Sequence, residues 1–136
     1  MMNITHIRVK ELSEKAARLL RHLGQPERVS ILLVIGEREA CVCHLEAALG
    51  LRQAYISQHL MALREAGIVT SRRDGRNIYY RLEDPNLLDL IQQAARMAGA
   101  SEADLNFSSP PVILRNCPCP HCTTEETECA WENQEA

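Results

Sequence analysis

The chain has 136 residues, 46% hydrophobic but only 4% aromatic, with a formal net charge of −3 at pH 7. That suits one domain with a tail, its core built from aliphatic side chains on packed helices. No apolar run reaches the ~18–20 residues that span a bilayer and no signal-peptide pattern opens the chain, so a cytoplasmic protein with no membrane partner is expected.

The first amphipathic stretch is VKELSEKAARLLRHLG (9–24), whose Leu12, Ala16, Leu19, Leu20 and Leu23 form one helical stripe stopped by Gly24. QPERVSILLVIGE (25–37) places Pro26 at a helix start and then runs apolar nearly all round, as a buried helix does. CHLEAALG (43–50) reads as a short third helix ended by Gly50. RQAYISQHLMALREAG (52–67) reads as a fourth, with Ile56, Leu60 and Leu63 on one face and Gly67 as its stop. The period then changes from 3.6 to 2. IVTSRRDGRNIYYRL (68–82) holds two strands around Asp74-Gly75, a hairpin signal, with Ile78, Tyr80 and Leu82 on one side and Tyr79 and Arg81 on the other. DPNLLDLIQQAARMAG (84–99) starts a last helix, capped by Asp84 with Pro85 at its first position. Residues 1–99 are therefore expected to form the folded domain, and residues 100–136 a Cys-rich acidic tail with little regular structure of its own.

Charge is uneven along this plan. Residues 52–81 carry six arginines against Glu65 and Asp74, whereas residues 117–136 carry five Glu and neither Lys nor Arg. The basic middle is the part suited to a polyanion. In that middle a short helix, a tight turn, a longer helix and a hairpin follow one another, the order of a winged helix-turn-helix. The longer helix is polar in its N-terminal half, at Gln53, Tyr55, Ser57, Gln58 and His59. Gln bonds bidentately to adenine in the major groove and Ser bonds phosphate. The hairpin offers Arg72, Arg73 and Arg76 to the DNA backbone or a narrow minor groove. His59, between Ile56 and Leu60, is placed as well for the core as for DNA, and the two tyrosines of the hairpin are suited to packing.

The stretch LEAALGLRQAYISQHLMALREAGIVTSRRDGRNIYYRL closely resembles the helix-turn-helix and wing of the ArsR/SmtB family of dimeric, metal-sensing bacterial repressors. The similarity runs over roughly residues 10–98, with SQHLMALREAGIV and RRDGRNIYYRL matching especially well; Arg52 stands where many members have a small capping hydroxyl residue. The resemblance implies a mainly α, dimeric winged helix-turn-helix with a small β-hairpin. It puts Ser57, Gln58 and His59 on the recognition helix and Arg72, Arg73 and Arg76 on the wing. It also implies a homodimer joined through the first and last helices, reading a palindromic double-stranded operator.

Six cysteines in a reducing compartment suit ligands or sensors better than disulfides. Cys41 and Cys43 stand at the threshold of the third helix, and the CVC motif resembles the family's thiolate motif. Thiolates favour soft ions, and a helix N-terminus favours the thiolate. Side chains two apart share a face in extended chain and not in a helix. Joint binding is therefore expected to require a distortion of the helix start, which would disturb the recognition helix. Further thiols come from the tail, where CPCPHC holds Cys117, Cys119 and Cys122, with Cys129 beyond. The linker from 99 to 117 reaches up to about 60 Å, enough for either protomer's Cys41–Cys43 pair. The tail cysteines also suit a separate tetrathiolate zinc site.

These features point to a repressor released by a thiophilic ion: arsenite or antimonite first, then cadmium, lead or zinc. The alternative is a redox or persulfide sensor that joins Cys41 or Cys43 to a tail cysteine. No nucleophile–base constellation or phosphate-binding glycine loop supports an enzyme.

Overall fold

The computed structural model describes residues 3–105, so Cys117, Cys119, Cys122 and Cys129 lie outside the described residues. Asn3 caps the first helix, its side-chain oxygen accepting the Thr5 N–H at 3.2 Å, and α1 (Ile4–Leu23) therefore starts five residues before the stretch 9–24 that marks it in the sequence. Leu19 and Leu23 lean on the core, yet α1 has no fully buried residue. Pro26 opens α2 (Pro26–Ile35), whose Ile31, Leu32 and Ile35 are buried as its nearly unbroken apolar sequence requires.

After α2 the chain does something the sequence reading did not anticipate. Glu39–Cys41 is a strand, β1, which leads directly into α3 (Val42–Leu49). Gly50 ends α3 in the left-handed conformation at φ 67°, and α4 (Gln53–Glu65) follows at once. Arg52 sits at the N-cap of α4 without a side-chain capping bond, so the start of this helix is set by packing more than by a cap. The hairpin is β2 (Val69–Asp74) and β3 (Asn77–Leu82). Its loop is Gly75-Arg76, with Gly75 at φ 62° in the first central position, where a type II′ turn requires a positive φ. Asp84 accepts the Asn86 N–H at 3.0 Å and starts α5 (Asn86–Met97) as expected. A short α6 (Glu102–Leu105) follows Gly99, beyond the boundary drawn from the sequence.

The sheet is antiparallel with order β1-β3-β2, three strands where the sequence suggests a two-stranded hairpin. Its inner face carries Ala40, Val69 and Leu82 onto a core completed by Ile31, Leu45 and Leu60. Tyr80 packs against that core, while Tyr79 belongs to a second, smaller cluster with Cys41 on the opposite face. The result is a mainly helical winged helix-turn-helix. No helix among the described residues is long and apolar enough to cross a membrane.

Candidate nucleic-acid interface and its thiol pair

The turn at Gly50 lets α3 support α4 from behind, with Ile56, His59, Leu60 and Leu63 facing inward. What remains outward at the start of α4 is Gln53, Tyr55 and Gln58, with Ser57 half-buried. These are the side chains that a helix inserted in a major groove would present. His59 is placed differently from its sequence assignment to DNA. It is 7% exposed, and its Nδ1 accepts the Arg28 Nε–H at 3.2 Å. Its ring meets that of Tyr55 edge-on, 4.6 Å between centroids. The reason is helical spacing: His59 shares a face with Ile56 and Leu63, three residues before and four after. Arg28 is itself anchored, donating through Nη1 to the carbonyl of His22 at 3.2 Å. The histidine therefore ties α4 to α2 and positions the outward residues.

The wing arginines also separate. Arg72, Arg73 and Arg76 are all exposed, but Arg72 and Arg73 are neighbours on one strand and point to opposite faces. Arg72 is held from two sides. Its Nε donates to Glu39 Oε2 at 2.7 Å, and its Nη2 donates to Glu39 Oε1. Its guanidinium carbon lies 4.7 Å from the centroid of the Tyr79 ring, and Asp74 is 3.8 Å from Nη1. The hydrogen bond with Glu39, ahead of the surrounding negative charge, raises the guanidinium pKa further above its ordinary value. The expected cluster of three like guanidiniums is thus one braced arginine on one face with Arg73 on the other and Arg76 at the tip.

Cys41 and Cys43 come together, with their sulfurs 2.9 Å apart. Cys41 is buried and Cys43 half-buried. No distortion of a helix is needed for this, which corrects the expectation from the sequence. Cys41 is the last residue of β1 and the N-cap of α3, with extended backbone at φ −88° and ψ 168°. The pair straddles a strand-to-helix junction, so the i, i+2 spacing already brings both thiols to one side. As a donor set, two adjacent sulfurs fit a soft ion and supply two of the three or four ligands it takes. No group of three or more His, Cys, Asp or Glu is arranged to hold a metal among the described residues.

Two residues at this site escaped sequence reasoning. Glu39 is hidden because a three-residue strand gives no readable period, and Tyr79 because the alternation that turns it away from the core says nothing of a second cluster.

A buried-backed helix with a polar leading edge beside a basic hairpin defines a DNA-binding winged-helix regulator. Residues 25–71 match the family described as bacterial regulatory protein, arsR family. The chain is 41% identical over 90 residues to the HTH-type transcriptional repressor SmtB of Mycobacterium tuberculosis, covering 66% of this chain and 67% of that one. It is 44% identical over 84 residues to the arsenic resistance transcriptional regulator ArsR1 of Pseudomonas putida, covering 60% and 62%. Among solved structures, the transcriptional repressor BigR from Xylella fastidiosa superposes with a TM-score of 0.63 at 31% identity, covering 74% of this chain and all of that one. The chain belongs to the ArsR/SmtB family of winged-helix transcriptional repressors; it is a DNA-binding regulator and not an enzyme.

Proposed function

We propose that this chain is a metal(loid)-responsive repressor whose homodimer binds a palindromic operator and leaves it when a thiophilic ion binds Cys41 and Cys43. Gln53, Tyr55, Ser57 and Gln58 meet the major groove, and Arg72, Arg73 and Arg76 meet the backbone or minor groove. One or more of Cys117, Cys119 and Cys122 completes the ligand set. Arsenite or antimonite is the first expectation, then cadmium, lead or zinc. The observation that carries this reading is the 2.9 Å approach of two sulfurs at the entrance to the helix-turn-helix. A relative named for arsenic resistance agrees with it.

A second reading draws on the same two thiols, one buried and one half-buried, as redox groups that react with a third thiol. In the redox or persulfide reading, one of these thiols and a tail thiol together lose two electrons and two protons to an oxidant such as a peroxide, forming a disulfide.

Fluorescence anisotropy of a palindromic DNA from upstream of the protein's own gene tests both, at fixed salt, in reducing buffer for the ions and after removal of the reductant for peroxide. Release by stoichiometric arsenite, antimonite, cadmium, lead or zinc is expected, and its loss in the Cys41→Ser, Cys43→Ser double variant. Release by peroxide with indifference to every ion would transfer the site to the redox reading. Indifference to all of them would remove the sensing role from these thiols.

A further inference from the structure

The face of the sheet that carries Cys41 also carries a continuous row of side chains. Cys41 in β1 is in register with Tyr79 in β3, and Tyr79 with Arg72 in β2. Residues directly opposite in an antiparallel pair share a face and touch. The Tyr79 side chain is 1% exposed and packs with Cys41, Cys43 and Ala47, while Arg72 lies over its ring. Glu39 stands two residues before Cys41, on the same face of the same strand, and its carboxylate takes both forward N–H groups of Arg72. Arg72 is therefore gripped by two groups, one packed on the thiols and the other one strand-step from them.

We propose that Glu39 and Tyr79 are positioning residues that couple the Cys41–Cys43 pair to the wing arginine, so that occupancy of the thiols changes how Arg72 is presented to DNA. The inference rests on the reading of these thiols as the sensor and adds the route from sensor to DNA. Arg72 has five N–H donors and Glu39 occupies two, so the outward N–H groups remain for a phosphate while the fork is held still. A guanidinium fixed beforehand loses less freedom on binding. An ion held by both sulfurs and by further ligands takes up space beside a pair packed against Tyr79 and Ala47, and so displaces what is packed on them. Close-packed interiors pass such displacements on. The enclosed ring of Tyr79 takes up the movement, and its other side is the platform of Arg72.

The test uses no inducer. Coupling is reciprocal, so an operator that engages Arg72 must alter the thiols. The full-length reduced chain is alkylated with iodoacetamide, with and without saturating operator DNA, and labelling of Cys41 and Cys43 is followed by peptide mass mapping. Operator DNA is expected to change their rate by about fivefold or more in the parent chain. In Glu39→Gln and Tyr79→Leu that dependence is expected to fall toward none, with far-UV circular dichroism unchanged. Glu39→Gln alone decides should Tyr79→Leu unfold, because its side chain is at the surface edge of the cluster. Simple shielding of the thiols by DNA would persist in both variants and overturns the proposal, as does a parent chain with no DNA dependence. Failure of arsenite and cadmium to release the parent chain, beside a DNA dependence that Glu39→Gln abolishes, overturns the ion reading and leaves the coupling standing.

Discussion

His59 and Gln58 are adjacent on α4, yet their burial assigns them opposite work. Gln58 is exposed at the leading edge, whereas His59 is buried against α2 with Nδ1 accepting from Arg28. Because Nδ1 accepts, the ring proton is on Nε2, which is buried without a hydrogen-bond partner among the described residues. Truncating His59 to Ala leaves the Arg28 Nε–H without its acceptor and opens a cavity, so a loss of roughly 1–3 kcal/mol in urea unfolding is expected. The preference among operator sequences should not change, since no base contact is removed. Gln58→Ala should do the reverse. Stability stays within about 0.5 kcal/mol, while discrimination at one base pair of each half-site falls by about 1–3 kcal/mol in competition binding. A His59→Ala protein of normal stability and altered base preference would show that the ring reads DNA after all.

Among the elements, the turns and the short pieces differ most in how they are specified. Gly50 is in the left-handed region with open space around its Cα, so Gly50→Ala meets no neighbour and its cost is conformational, about 1–2 kcal/mol by thermal unfolding. Beyond α5, Ser101 and Asp104 cap α6 reciprocally. The Ser101 N–H and hydroxyl both donate to Asp104 Oδ2 at 2.8 Å, and the Asp104 N–H reaches the Ser101 hydroxyl at 3.3 Å. These bonds, the backbone one first, hold the Asp104 carboxyl below the usual aspartate range. A lowered folded pKa means that the contribution is present above the usual aspartate value and is lost as pH falls through the folded one. The side-chain carboxyl ¹³C shift of Asp104 should therefore titrate below the ordinary aspartate range; a midpoint at or above the ordinary aspartate pKa would contradict the capping geometry. The long elements were legible in the sequence because each repeats its signal, as the apolar positions of α2, α4 and α5 and the alternation of β3 do. β1 was not, because Glu39-Ala40-Cys41 is too short to show a period and pairs with residues some forty positions away. The same strand decides the geometry of the thiol pair: within one helix two sulfurs at i, i+2 would point apart, whereas Cys41, extended at the end of β1, meets Cys43 in the first turn of α3. The recognition helix and wing were placed well from pattern, whereas the inward turn of His59 and the Glu39 brace on Arg72 depend on contacts no local pattern encodes.

For the molecule as a whole, α1 is the feature that demands a partner. It is a 20-residue helix with no buried residue, and Ile4, Leu12 and Leu20 stand exposed along it. Leu12 is 70% exposed, and Met97 near the end of α5 is 82% exposed. Apolar groups left this open on two helices gain free energy when covered, at roughly 25 cal/mol per Å² buried. The proposed homodimer supplies that cover, and its two-fold axis would present two copies of α4 and of the wing to a palindrome. Replacing Leu12 and Met97 together by Glu places like charges where the two chains are expected to meet. Neither side chain contributes to the buried core, so each protomer should still fold, as judged by far-UV circular dichroism. Light scattering after gel filtration should show the mass of one chain where the parent shows two. Operator binding should weaken, and the slope of log affinity against log salt should fall to about half, because a single protomer neutralises half the phosphates. A double variant that keeps the parent mass and salt slope would place the interface elsewhere on the protein. In that case the exposed stripe of α1 would have to be covered by something other than a second copy of this chain.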